Sequence, residues 1–213
     1  VTLMNNQPMG FYPLETLKQD ARRFAVPFRN PCINSSEVRC TIEDGSVLIG
    51  LEFVKDVGHE SARTIVKERI DFGPYRSVDD FVQRVNLKPR CAESLVMAGA
   101  FDKITKNRRL ALWKSRLYPR PTNDQRYLPL YVDDNIPILK DFTQYQKMLG
   151  EYRTMSVYPS GHIMEFVRPS LAKHVVTTEE ACGLDDRAEV VVAGWTISRQ
   201  HPRGETNIAF VTI

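Results

Sequence analysis

The chain has 213 residues, of which 42% are hydrophobic, and a formal net charge of +3. That length supports one large domain or two to three small ones. With no apolar run of membrane-spanning length and no basic-then-apolar leader pattern, a cytoplasmic protein with no membrane contact is expected.

Four cysteines (Cys32, Cys40, Cys91, Cys182) stand far apart without C-x-x-C spacing, so reduced, packed thiols are expected rather than a zinc site or a disulfide framework. The charge is unevenly spread. Residues 51–118 hold 14 Lys and Arg against 9 Asp and Glu, whereas the flanks are neutral to slightly acidic. A local basic surplus of this size suits a polyanion and equally suits a solvated surface.

Residues 1–10, VTLMNNQPMG, read like the middle of a domain, and a piece of a longer chain is expected. Pro13 suits the first turn of a helix with Leu14, Leu17, Ala21 and Phe24 on one face and solvated Lys18, Arg22 and Arg23 on the other. After the turn-rich 30–36 stretch, alternation over Val38–Ile42 and Val47–Ile49 around Asp44-Gly45 predicts a β-hairpin.

The chain is organised around residues 51–69, LEFVKDVGHESARTIVKER. A short apolar turn with Leu51, Phe53 and Val54 leads through Lys55-Asp56-Val57-Gly58 into a helix that opens with His59-Glu60-Ser61 and buries Ala62, Ile65 and Val66. This is the pattern of a helix-hairpin-helix. Free N–H groups and the positive dipole end at such a helix start form an anion site that holds a phosphate without reading sequence. Gly58 allows the turn, Val57 plugs it into the core, and Lys55, Arg63, Lys67 and Arg69 add charge. Asp56 stands where the hairpin ordinarily has a second glycine. Aspartate tolerates a left-handed backbone, but its charge is expected to weaken the phosphate site beside it. Apolar residues at helical spacing after a glycine turn also describe helical hairpins that bind nothing.

Gly73-Pro74 must break that helix. Ser77 then caps a second one, SVDDFVQRV, with Asp79 and Asp80 in its first turn as capping and solvating acids. Asn86-Leu87-Lys88-Pro89 turns the chain into a helix over 90–100, so the unit is helix-hairpin-helix twice over, with Lys88 and Arg90 at the second contact. Lys103, Lys106, Arg108, Arg109 and Lys114 are expected to continue the basic face into a helix carrying Leu110, Leu112 and Trp113.

Residues 118–138 read as an exposed linker that holds an unexpected apolar cluster, Gln125-Arg126-Tyr127-Leu128-Pro129-Leu130-Tyr131. It either docks in a partner's groove, with Gln125, Leu128, Leu130 and Tyr131 as anchors, or tucks onto its own domain. Helices are then expected over 140–154, over 161–167 with Ser160 as cap, and over 179–182. His162 and His174 lack companions at metal-ligand spacing and read as structural. Residues 189–197 read as a strand, 198–207 as a polar loop, and 208–213 as the start of another strand.

Several segments together resemble one family. LMNNQPMGFYPLETLKQDARR, GLEFVKDVG, GPYRSVDDFVQRV, ESLVMAGAFD, NRRLALW, EYRTMSVYPSGHIMEFVR and VVVAGWTISRQ follow, in order, segments of bacterial C-family DNA polymerases, the alpha subunit of DNA polymerase III, and most resemble its error-prone branch.

The resemblance implies a mainly α fold with small β elements. It would comprise the end of a fingers domain (1–50), a tandem helix-hairpin-helix domain gripping duplex DNA (51–117), a linker with a sliding-clamp-binding peptide at Gln125, Leu128, Pro129, Leu130 and Tyr131 (118–138), a helical connector (139–187) and the truncated first strands of an OB domain (188–213). The DNA-binding set implied is Lys55, Val57, Gly58, His59, Ser61, Arg63, Lys88 and Arg90. Trp195, Arg199 and Phe210 would meet single-stranded template DNA.

The family's nucleotidyl transfer uses Mg²⁺ on palm carboxylates that should lie upstream of Val1, so no catalytic residue, metal site or cofactor is expected here, and this stretch alone should be inactive. Two other readings compete with this one. A repair nuclease or ligase subdomain would need a carboxylate cluster or a lysine nucleophile motif, and neither is evident. A protein-binding adaptor would lack salt-dependent duplex binding.

Overall fold

The computed structural model describes residues 1–8, 12–117, 138–201 and 208–212. The chain divides into two compact units, Val1–Ser160 and Gly161–Ile213.

The first unit opens with α1 (Thr2–Asn5), α2 (Leu14–Arg23) and β1 (Phe28–Arg29), followed by the hairpin β2 (Thr41–Glu43) and β3 (Ser46–Leu48). Asp44 and Gly45 both take positive φ, +50° and +71°, as a tight two-residue hairpin turn requires. The three strands lie in the order β1-β3-β2, with β1 parallel to β3. That parallel pairing, Phe28 opposite Val47, has no local sequence signal. Two expectations for α2 fail. Phe24 ends the helix and is exposed, while Lys18 is fully buried. Its ammonium pairs with Glu15 at 2.6 Å and donates to the Tyr158 carbonyl at 2.9 Å, because a buried cation must find both charge and acceptors.

A single 3₁₀ turn, Leu51–Phe53, then leads to α3 (Gly58–Phe72), α4 (Val78–Arg84), α5 (Pro89–Met97), α6 (Arg108–Leu117) and α7 (Gln144–Met155). Gly73, at φ +83°, and Pro74 stop α3 as expected. The α3–α4 turn is fixed from inside. Buried Tyr75 donates its hydroxyl to the Ile65 carbonyl at 2.8 Å and meets Phe81 edge-on at 5.0 Å, and Phe81 meets Phe101 at 5.1 Å. Arg84 lies 4.5 Å over the Tyr75 ring and donates to the carbonyls of Glu68 and Gly73. Ser77 caps α4 by accepting from the Asp80 N–H, as its sequence position demands.

One hydrophobic core joins these elements. It runs from Met4, Phe28, Ile33 and Ile49 through Val57, Ile65, Phe81 and Leu95 to Met155 and Val157, so residues 1–50 and 51–117 share a core, and α7 belongs to the same unit. Each fully buried aliphatic or aromatic side chain contributes about 1.5–3 kcal/mol. α5 sits centrally, packed against both α6 and α7.

The second unit contains α8 (Met164–Val167), β4 (Val175–Val176), α9 (Thr178–Cys182), β5 (Val191–Val192), β6 (Ser198–Gln200) and β7 (Phe210–Thr212). Here the sequence expectations need most correction. The helix expected over 161–167 shortens to four residues with Ile163 at its start and no side-chain cap, so Ser160 does not cap it. The strand expected over 189–197 shrinks to Val191–Val192, paired in parallel with β4.

The expected polar loop begins instead as strand β6, antiparallel to β7 with Arg199 opposite Val211 and Gln200 opposite Phe210. A β-rich run marks suitability for a sheet, while the available partner edge decides which residues pair. Cys182 is exposed, contrary to expectation, whereas Cys32, Cys40 and Cys91 are buried free thiols. Burial pushes the Cys40 thiol up to about 11.

Candidate nucleic-acid interface

The first hairpin is built by alternating backbone handedness. Asp56 takes φ +66°, Val57 returns to the right-handed region at φ −82°, and Gly58 takes φ +65°. Val57 is the buried peg, 4% exposed, its N–H donating to the Val54 carbonyl at 3.1 Å. A β-carbon on Gly58 would meet nothing within 4 Å, so glycine is needed there for its backbone angle and not for space.

Gly58, His59 and Glu60 are exposed, and no side chain caps the start of α3, whereas α4, α7 and α9 are all side-chain capped. The first-turn N–H groups and the positive end of a 15-residue helix therefore stand at the surface.

Around that end, Lys55, Arg63 and Lys67 are exposed, and their charged groups have no ion-pair or hydrogen-bond partner among the described residues. Ser61 is half-buried. The His59 ring is engaged: its Nδ1 lies 2.7 Å from Glu52 Oε2. Arg69, expected near the phosphate, instead donates to the carbonyls of Ile33 and Ser36 and pairs with Glu37. A contact that sequence reasoning missed fixes the hairpin on its other side. The Lys55 N–H donates to the Thr154 carbonyl at 2.8 Å, which brings the C-terminal end of α7, with exposed Arg153, against the hairpin.

The second hairpin repeats the plan with different residues. Val85 and Leu87 are buried pegs, Lys88 takes an extended conformation immediately before α5, Pro89 occupies the first turn, and no side chain caps the start of the helix. Lys88 and Arg90 are exposed and their charged groups are likewise without a partner among the described residues.

The two hairpins touch through Asp56. Its carbonyl accepts from the Cys91 thiol at 2.7 Å, and its Oδ2 accepts from the Ser94 hydroxyl at 3.2 Å. The Asp56 charge was expected to weaken the phosphate site beside it, and the structure adds a tie between that carboxylate and α5. The carboxylate is turned onto α5 and, with Lys88, Pro89, Arg90 and Cys91, lines a cleft of about 510 Å³.

The basic face expected to continue through α6 is mostly spent on internal contacts. Arg108 is 4% exposed, bridging Asp102 and Glu151 at 2.6 Å each. Burial works against its charge, but the hydrogen bonds and charges of those carboxylates hold its pKa above the usual value. Burial in turn raises the pKa of Glu151 despite Arg108 beside it. Lys114 pairs with Asp79 at 2.7 Å, Lys103 donates to the Ser35 hydroxyl, and Arg109 lies 4.7 Å over the Phe142 ring.

In the second unit, Trp195, Arg199 and Phe210 are all exposed. Trp195 lies outside the strands, and the β6–β7 register puts Arg199 beside Val211 on one face and Phe210 beside Gln200 on the other. The three do not form one platform. Gln125, Leu128, Pro129, Leu130 and Tyr131 lie outside the described residues. Among the described residues no group of His, Cys, Asp and Glu could hold a metal ion, and no helix is long and apolar enough to cross a membrane.

Residues 25–111 match the model of the helix-hairpin-helix motif. Over 99% of its length the chain is 32% identical to the error-prone DNA polymerases of Nocardia farcinica and Mycobacterium tuberculosis, and 31% identical to that of Allorhizobium ampelinum. The chain is homologous to a stretch of the error-prone DNA polymerases. It covers about a fifth of the length of these relatives, 19% of the Nocardia and Mycobacterium chains and 21% of the Allorhizobium one. The matched residues take in both hairpins, from the Asp56-Val57-Gly58 turn to the Lys88-Pro89 start of α5.

Proposed function

We propose that this chain is the duplex-DNA-gripping region of an error-prone DNA polymerase, holding the phosphate backbone without reading sequence. The observation that carries the reading is the pairing, at each hairpin, of a helix start free of any side-chain cap with exposed cations that have no internal partner: Lys55 and Arg63 at α3, Lys88 and Arg90 at α5. Donors and charges left unpaired at a surface suit an anion, and two adjoining sites on one core suit a regularly spaced polyanion.

The test is duplex affinity at two salt concentrations for the parent and for a Lys55→Glu, Arg63→Glu variant. Each phosphate contact contributes about 0.9 to the slope of log affinity against log salt. The variant should bind more weakly with a shallower slope, and unchanged affinity would remove the first hairpin from the interface.

The remaining assignments follow the resemblance. Gln125 to Tyr131 serve as a sliding-clamp-binding peptide, tested by clamp pull-down with a Leu128→Ala, Leu130→Ala variant. Residues 188–213 contribute to an OB domain that meets single-stranded template. Mg²⁺-dependent nucleotidyl transfer belongs to carboxylates elsewhere in the polymerase, which acts in the cytoplasm. Metal-dependent primer extension by this chain alone would overturn that last assignment.

A further inference from the structure

We infer that Asp56 is an internal attenuator of the DNA grip, acting on the second hairpin although it belongs to the first; the inference rests on the duplex-binding reading above. Three observations carry it. The backbone at Asp56 is left-handed, φ +66°, and its carbonyl accepts from the Cys91 thiol, which ties the residue to α5. The Ser94 hydroxyl holds the carboxylate at 3.2 Å and keeps it over α5. The same cleft is walled by Lys88, Pro89 and Arg90, the first residues of the uncapped helix start.

No ion pair joins the Asp56 carboxylate to either cation, so it leaves both side chains available while setting a fixed negative charge beside the seat of the incoming phosphate. A like charge at close range repels a phosphate, and the repulsion is stronger at low salt, where screening is weaker. A glycine would satisfy the turn equally well, since only the positive φ is demanded. Aspartate at this position therefore costs affinity without being needed for the backbone, which keeps duplex binding loose.

The experiment measures duplex-DNA affinity of the full chain at about 50 mM and about 200 mM salt, where screening lengths differ about twofold. The variants are Asp56→Asn, which keeps the acceptor for Ser94 and removes the charge, and Asp56→Gly, which keeps the turn and removes the side chain. Asp71→Asn is the control: the same charge change, about 20 Å along α3 from the first hairpin.

Asp56→Asn and Asp56→Gly should both bind about 3- to 10-fold more tightly at the lower salt, with the gain shrinking at the higher salt. Asp71→Asn should change affinity less than about twofold. Unchanged or weaker binding by Asp56→Asn, or an equal gain from Asp71→Asn, would overturn the inference. A Lys88→Glu, Arg90→Glu variant separates that failure from failure of the reading beneath it. If that variant loses binding while Asp56→Asn is silent, the second hairpin grips DNA and Asp56 does not modulate it. If it binds like the parent, the second hairpin is not a contact and both conclusions fall.

Discussion

Arg108 and Arg90 come from the same basic stretch, yet the fold gives them opposite work. Arg108, at the start of α6, is buried and bridges Asp102 and Glu151, tying the α6 segment to α7 across more than forty residues of chain. Arg90, at the start of α5, is exposed and has no partner among the described residues. A cation whose hydrogen bonds are consumed internally stabilises the protein's own geometry. One left without them is available to a ligand. The difference between the two helix starts therefore separates scaffold from the proposed interface more sharply than charge count does.

Breaking the scaffold side should give the largest effect. Arg108→Met leaves the Glu151 carboxylate buried without its counter-charge, and unfolding stability by urea titration should fall by about 3–5 kcal/mol, as expected for removing one partner of a buried pair. Salt dependence of DNA binding, measured on whatever remains folded, should keep the parent slope.

The interface side should respond the other way. Lys88→Glu with Arg90→Glu should leave stability within about 0.5 kcal/mol, as at surface positions. It should weaken duplex binding about 10- to 100-fold at low salt. If stability drops and affinity does not, the division of labour drawn here is mistaken.

A smaller effect should follow from Gly58→Ala. The added methyl has room, but φ +65° penalises any β-carbon, so a loss of about 1–2 kcal/mol should appear in stability or as a distorted α3 start with weaker binding.

The smallest concerns pH. Burial opposes the Asp141 charge, but Lys147 and the N–H groups of Phe142 and Arg109 outweigh it and hold the Asp141 pKa below the ordinary carboxylate value. Its stabilising contribution is present above that ordinary value and is lost as pH falls through the lowered one. Asp141→Asn should therefore flatten the acid limb of the stability profile while leaving DNA affinity at neutral pH unchanged.

Much of the first unit was legible because its signals are local. Asp44-Gly45 specified a turn, Ser77 a cap, Gly73-Pro74 a helix stop, and Asp56-Val57-Gly58 the handedness of the hairpin; each acts within a few residues of itself. The positions of the candidate site residues on their elements were legible for the same reason. Lys55, Gly58, Arg63, Lys88 and Arg90 stand where their spacing put them.

Arg69 and Lys114 did not, because each is bound by residues 30 or more positions away, and Arg108, though Asp102 lies six residues before it, is buried by its pairing with Glu151, 43 positions on. In the second unit the strand bounds depended on which edges were available to pair. Residues 189–197 read as strand and 198–207 as a polar loop, yet pairing with β4 and β7 made strand of Val191–Val192 and Ser198–Gln200.

The sequence by itself determined the periodic helices, the two hairpin turns and the excess of cations around them, since backbone handedness and apolar spacing are properties of neighbours. Only the tertiary structure decided which of those cations stay exposed and unpaired, and onto which helix Asp56 turns its carboxylate. Those outcomes depend on where distant carboxylates, carbonyls and hydroxyls come to rest once the core closes, and burial forces every charge it reaches to take a partner.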